Sequence, residues 1–83
     1  MAGDPLADPR RRVVGAKQTL KRLEAGALGL VVIARDADPK VVGPVARQAE
    51  ALGIPVSEVD TMDELGRRCG IQVGAACAGL VRS

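Results

Sequence analysis

Residues 15–23 read Gly-Ala-Lys-Gln-Thr-Leu-Lys-Arg-Leu, the stretch of this chain best equipped to bind something anionic. At 3.6 residues per turn, Ala16, Leu20, Leu23 and Ala27 share one apolar face. Lys17 and Lys21 stack one turn apart on the other, with Gln18 and Arg22 beside them. Gly15 precedes the first turn, so another molecule can approach its backbone closely and the first-turn N–H groups point outward. A phosphate-bearing partner fits that front. Periodicity alone also fits a plain solvated basic face, the commoner fate of a charge run.

Other chemistry is sparse. Asp36 and Asp38 follow an apolar run, where open α/β sheets often hold ligands. Asp38 precedes Pro39, however, which reads as a helix N-cap with Pro in the first turn. No His, Lys-Ser pair or glycine-rich phosphate loop stands beside these carboxylates, so no catalytic set assembles and an enzyme is not expected. The complete absence of His removes His-dependent triads and imidazole metal sites. Cys69 and Cys77 lack CxxC spacing and read as free, buried thiols in a reducing cytoplasm. Neither a metal nor a cofactor is expected. Gly66, Gly70 and Gly74 imitate a spaced-glycine signature, but no strand precedes them, and helix termination plus a turn explains the last two better. The loop Ile71-Gln72-Val73 has two open readings, a tuck into the core or an apolar wedge beside the basic helix.

Alternating elements must position these residues. Residues 1–9, with Gly3, Pro5 and Pro9 and little to bury, read as a flexible segment forming at most one helical turn, which leaves 10–83 as a single domain. Val13-Val14 is a short edge strand feeding a helix that stops near Ala25, capped by Gly26. Leu28 to Ala34 is a continuous apolar run, expected to be a central strand covered on both faces. A helix from Pro39 to about Leu52 follows, kinked or delayed by Gly43-Pro44, with Val42, Val45, Ala46, Ala49 and Leu52 as its buried stripe. Ile54-Pro55-Val56 opens a further strand, first or edge in the sheet because of its Pro. Thr61 and Glu64 have capping-box spacing for a helix ending at Gly70, and Ala75 to Val81 forms the last strand. This alternation predicts an α/β fold, a three-layer α/β/α sandwich around a small mixed sheet of about four strands.

Composition narrows the function. Eighty-three residues make one domain with a modest core. The apolar content of 47% contains no aromatic residue, which excludes readers that stack bases on rings. A net charge of +2 is too weak to argue for nucleic acid by itself, but the charge is polarised. Arg10, Arg11, Arg12, Lys17, Lys21 and Arg22 crowd the first 22 residues, whereas residues 35–64 hold seven acids against three bases. A fold that brings Arg67 and Arg68 near the first cluster makes one cationic face. No apolar run approaches the roughly 20 residues that span a bilayer.

Gly15 to Lys21, the following apolar strand, Ala37-Asp38-Pro39, Gly53-Ile54-Pro55-Val56 and Leu65-Gly66 through Ala76 together resemble the ribosomal protein seven-Ae family of kink-turn RNA binders, above all its short bacterial members. The resemblance covers residues 13–81. It implies an α/β/α sandwich that binds sharply bent duplex RNA. By it, Gly15, Lys17, Gln18 and Lys21 meet tandem sheared G·A pairs in the groove, with Ala16 on the same turn, and Ile71, Gln72 and Val73 cover the extruded loop nucleotides. Arg12, with Arg10 and Arg11, is expected on the flanking backbone. Many archaeal and eukaryotic members carry Asn-Glu where this chain has Lys17-Gln18, so the bonding to the G·A edges must differ. The expected partner is structured RNA containing kink-turns, ribosomal or riboswitch-type, bound by a cytoplasmic monomer, with the ribosome a candidate setting and neither DNA nor a membrane involved. The alternative is a small protein-interaction or assembly module using the apolar loop and the acidic middle segment.

Overall fold

The computed structural model describes residues 3–82. β1 (Arg12–Val14) leads into α1 (Ala16–Glu24), β2 (Leu28–Ala34) into α2 (Pro39–Ala51) and β3 (Val56–Val59) into α3 (Met62–Arg68). β4 (Cys77–Val81) then enters the sheet between β1 and β2, giving the order β1-β4-β2-β3. It pairs antiparallel with both neighbours, while β2 and β3 are parallel, so β1, β2 and β3 all run one way. α1 and α2 pack together on one face of the sheet, and α3 with the 3-10 turn Pro5–Ala7 covers the other. The sandwich and its four-stranded mixed sheet are as expected. Among the described residues no helix is long and apolar enough to cross a membrane.

Local chemistry accounts for the element ends. Asp38 accepts from the Lys40 N–H at 2.9 Å and Thr61 Oγ1 accepts from the Glu64 N–H at 3.0 Å, the two caps anticipated. The helices close at Gly26, Gly53 and Gly70, all at positive φ. α2, however, runs unbroken through Gly43-Pro44. Pro44 lies on the exposed face, so the Lys40 carbonyl that loses its helical partner turns to water rather than to the core. Val42, Val45 and Ala49 form the buried stripe of α2, Ala46 is half-buried, and Leu52 lies beyond the last turn at 48% exposure.

Two expectations need correction. On α1 the buried centre is Thr19 and Leu23, with Ala16 and Leu20 only half-buried. The helix is thus rotated so that Leu20 sits at the border of the polar face. Within residues 3–9 there is also something to bury, for Leu6 is fully enclosed. Asp4 caps the 3-10 turn by accepting from the Leu6 N–H at 3.0 Å. Arg12 then ties the turn down, donating from Nε to Leu6 O at 2.9 Å and from Nη2 to Cys69 O at 3.0 Å. The Arg68–Asp4 pair at 2.8 Å adds a second tie. Residues 1 and 2 of the expected flexible segment lie outside the described residues.

The core is aliphatic: Leu23, Leu28, Val31, Val32, Val45 and Leu65 are essentially inaccessible, with the free thiols of Cys69 and Cys77 among them. Burial pushes both thiols above the ordinary thiol range, so they remain protonated, inert packing groups at neutral pH.

The Asp4–Arg68 tie has a pH signature. Partial burial raises the Asp4 carboxyl, but hydrogen bonds from Arg68 and the Leu6 N–H and the Arg68 charge outweigh it and leave the pKa lowered. A lowered carboxyl contributes stability above its unfolded pKa and loses it as pH falls through the native one. Both side chains are about a third exposed, which limits the effect to about 1 kcal/mol or less. Asp4→Asn is therefore expected to lower the urea midpoint at pH 7, and the difference from wild type should shrink as pH falls below the ordinary carboxylate range, through the lowered native pKa.

Candidate nucleic-acid interface

All three helices begin at the same end of the sheet, where β1, β2 and β3 terminate and β4 starts. Two of the three N-termini are closed by side chains. Asp38 caps α2, and α3 has both Thr61 and Asp36, whose Oδ1 accepts from the Met62 N–H at 2.8 Å. α1 differs: its N-cap is Gly15, which has no side chain to offer. The first intrahelical bond runs from Thr19 N–H to Gly15 O at 2.9 Å, so the N–H groups of Ala16, Lys17 and Gln18 precede it without a protein acceptor. These donors and the positive end of the helix dipole face outward together.

Gly15 is required there for a conformational reason. Its φ of 96° and ψ of 152° lie in a region essentially reserved for glycine, where another residue is strained by about 1–3 kcal/mol. Its own N–H donates to Cys77 O at 2.9 Å, which fastens the start of α1 to the first residue of β4.

Lys17, Gln18 and Lys21 are exposed, and with Leu20 and Glu24 they line a shallow open groove of about 460 Å³. Neither lysine forms a salt bridge among the described residues. Beneath the groove, Thr19 is fully buried, and its hydroxyl has only the Cys77 sulfur beside it, a weak acceptor for its O–H. This Thr, unremarkable in the sequence, presses α1 onto β4.

The second segment folds back along α3. Ile71 N–H donates to Gly66 O at 3.0 Å, and Ala75 N–H to Met62 O at 3.0 Å. Between these bonds the Val73 carbonyl lies directly on Gly66, in space that any Cβ at 66 would occupy. Ala76 O then accepts from the Ala34 N–H at 2.9 Å, which delivers the chain to the sheet end where α1 begins. Ile71 is half-buried against the core, Gln72 is exposed, and Val73 is 70% exposed. The tuck into the core holds for Ile71, which anchors the loop, while Val73 stays exposed.

Gly15, Ala16, Lys17, Gln18 and Lys21 therefore share one helix, and the loop after Gly70 returns to the same end of the sheet. Arg12 does not join them. It occupies the far end of β1, opposite Leu80, and its guanidinium is engaged by the Leu6 and Cys69 carbonyls. Four of the seven acids of the middle segment are committed internally as well: Arg35 bonds Glu58 at 3.2 Å and Asp60 at 2.9 Å, and Asp36 and Asp38 cap helices. Among the described residues no cluster of His, Cys, Asp or Glu is placed to hold a metal.

Gly66 stood in the sequence without a stated purpose. Its signal was a glycine inside a helix, a choice that costs about 1 kcal/mol against alanine unless something needs the space. Gly66→Ala is expected to lose more through the Val73 clash than it gains in propensity, lowering the melting temperature. Amide exchange at Ile71 and Ala75, the loop's two tethers, should rise with it; protection equal to wild type in a variant of unchanged stability would contradict this packing.

Comparison with known proteins assigns the family and the fold. Residues 5–83 match the Ribosomal protein L7Ae/L30e/S12e/Gadd45 family. A relative in Caldanaerobacter subterraneus subsp. tengcongensis, named as an RNA-binding protein, is 51% identical over 70 residues, 84% of this chain and 85% of its own. An RNA-binding protein of Geobacillus sp. (strain WCH70) is 39% identical over 82 residues, 99% of this chain and the whole of its own. Among solved structures, the Giardia lamblia 15.5kD RNA binding protein superposes with a TM-score of 0.86 at 30% identity, covering 94% of this chain and 66% of that one. With nearly its whole length matched and relatives this similar, the chain belongs to the Ribosomal protein L7Ae/L30e/S12e/Gadd45 family.

Proposed function

We propose that the protein is a non-enzymatic RNA-binding protein that recognises and stabilises kink-turns in structured RNA, in ribosomal RNA or riboswitch-type settings. The observation that carries this reading is the bare N-terminus of α1, with three outward N–H groups and the uncommitted side chains of Lys17, Gln18 and Lys21 around it. The RNA-binding names of its relatives point the same way.

Each group has a role that its chemistry supports. The amide of Gln18 both donates and accepts, so it can pair with a guanine edge where a carboxylate could only accept. Lys17 supplies a phosphate-seeking charge, and Lys21, one turn on, reaches a guanine carbonyl or a phosphate. Val73, held out by the packing of its backbone on Gly66, offers an apolar cover for an unstacked nucleotide. Bent RNA repels itself, so a cationic surface that fits only the bent form shifts its population toward bending. One copy of the chain carries both halves of this surface. Arg12 is left out of it, because its donors hold the fold together. Of the seven acids in residues 35–64, Asp36 and Asp38 cap helices and Glu58 and Asp60 pair with Arg35, which leaves the protein-interaction alternative only Glu50, Asp63 and Glu64 of its acidic surface.

Gel-shift titration with a kink-turn duplex and a matched duplex lacking the G·A pairs tests the reading. Preferential binding of the kink-turn is expected, and Lys17→Ala/Lys21→Ala should weaken it by about 2 kcal/mol, roughly 30-fold, with the fold intact by circular dichroism. Equal affinity of the wild type for both duplexes would overturn the kink-turn assignment.

A further inference from the structure

The strongest positive charge on the protein is not at the end of the sheet where α1 begins. At the other end, where β1 starts and β4 and α3 finish, the fold gathers Arg10, Arg11, Arg12, Arg67, Arg68 and Arg82. The bonds that place them are direct. Arg11 O accepts from the Val81 N–H at 2.9 Å, Arg82 N–H donates to Ala27 O at 2.8 Å, and Arg12 reaches Cys69 O beside the end of α3. Among the described residues Asp4 and Asp8 accompany these six arginines, and Arg22 and Glu24, in the last turn of α1 near Arg82, offset each other, which leaves a local net of +4 in a chain whose net charge is +2. The rest of the molecule, including the α1 lysines, is therefore net negative.

Three of the six have structural employment: Arg12 binds two carbonyls, Arg68 pairs with Asp4, and Arg82 reaches toward Gly26 O at 3.5 Å. Arg10, Arg11 and Arg67 have none of that kind. Arg11 and Arg67 form no salt bridge among the described residues, and Arg10 has only a 3.6 Å contact to Asp8 with its side chain 91% exposed.

We propose that this arginine end is a second RNA contact, a clamp on phosphate backbone that adds affinity without reading sequence or bend. The chemistry favours phosphate over an acidic protein surface on two counts. Every cation here is arginine, whose planar fork matches phosphate oxygens in pairs. A protein interface also needs an apolar centre, whereas among the described residues the exposed large apolar ones are Val41, Leu52, Val56 and Val73, none of them in this cluster. β4, five residues long, runs from one end to the other, so the two contacts are separated by about 17 Å along the strand. A single protein can therefore hold two separate runs of backbone.

The test uses the full chain and the variant Arg10→Gln/Arg11→Gln/Arg67→Gln, titrated at several KCl concentrations against a plain RNA duplex and a kink-turn duplex. Neutralising three phosphate contacts should flatten the slope of log K against log salt by about 2–3 on both RNAs. The ratio between the two affinities should stay at its wild-type value, because the groups on α1 are untouched. Unchanged slopes in a folded variant, or wild-type binding to plain duplex that ignores salt, would overturn the clamp. A wild type that binds both duplexes equally, yet loses slope in the variant, would overturn the kink-turn reading and keep the clamp. If the variant instead loses affinity for an acidic peptide with its RNA slope intact, the surface is a protein contact and the proposal fails.

Discussion

β4 pairs along its length with β1 on one side and β2 on the other. β1 is only three residues long and has no other partner in the sheet, so without β4 it has nothing to bond to and α1 has no floor. The same strand supplies the carbonyl of Cys77 that holds Gly15, and the preceding Ala76 carbonyl that holds Ala34. Its small residues are a packing demand, since a Cβ at Gly79 would lie 2.5 Å from Leu28 Cδ1. The last element of the chain thus completes the core and sets both halves of the candidate site at one end of the sheet. Because β1 and β4 are far apart in sequence, this is also the long-range contact whose closure folding must wait for.

What the sequence disclosed follows from how local the causes are. Asp38 before Pro39, Thr61 three before Glu64, and the glycines ending each helix announce themselves within one turn of chain, and the structure has each in place. The apolar run of β2 was legible for the same reason. The hidden features depend on what lies across the fold. Leu6 looked idle until Arg12 and Cys69 were brought beside it, and Gly66 stood only in a spaced-glycine pattern until the Val73 carbonyl needed its space. Thr19 replaced Leu20 at the centre of the buried face of α1 because β4 presents the Cys77 side chain there, a surface that no helical periodicity reveals. Pro44 misled in the opposite direction, since a break rule for helices yields when the orphaned carbonyl faces water.

The candidate site was half legible. The face carrying Lys17, Gln18 and Lys21 stood in the pattern, but its distinction from the other helix starts did not. Only the structure puts three N-termini side by side and leaves one of them uncapped. Charge reads similarly. The arginines near the chain start and those on α3 do come together, but at the end of the sheet opposite the start of α1, so one expected cationic face becomes two. A surface of this kind can divide its labour, with groove-directed amides and lysines discriminating shape and arginines supplying salt-dependent affinity.

The central claim is that the uncapped start of α1 is where RNA binds, and an amide-resolved NMR titration with a kink-turn RNA addresses it most directly. Hydrogen bonds to phosphate or base edges should shift the Ala16, Lys17 and Gln18 N–H signals far more than those of Lys40 and Glu64, which already have side-chain acceptors, with Gln72 and Val73 shifting in the same titration. Shifts spread evenly over the three helix starts, or confined to the β3 edge, would contradict the account.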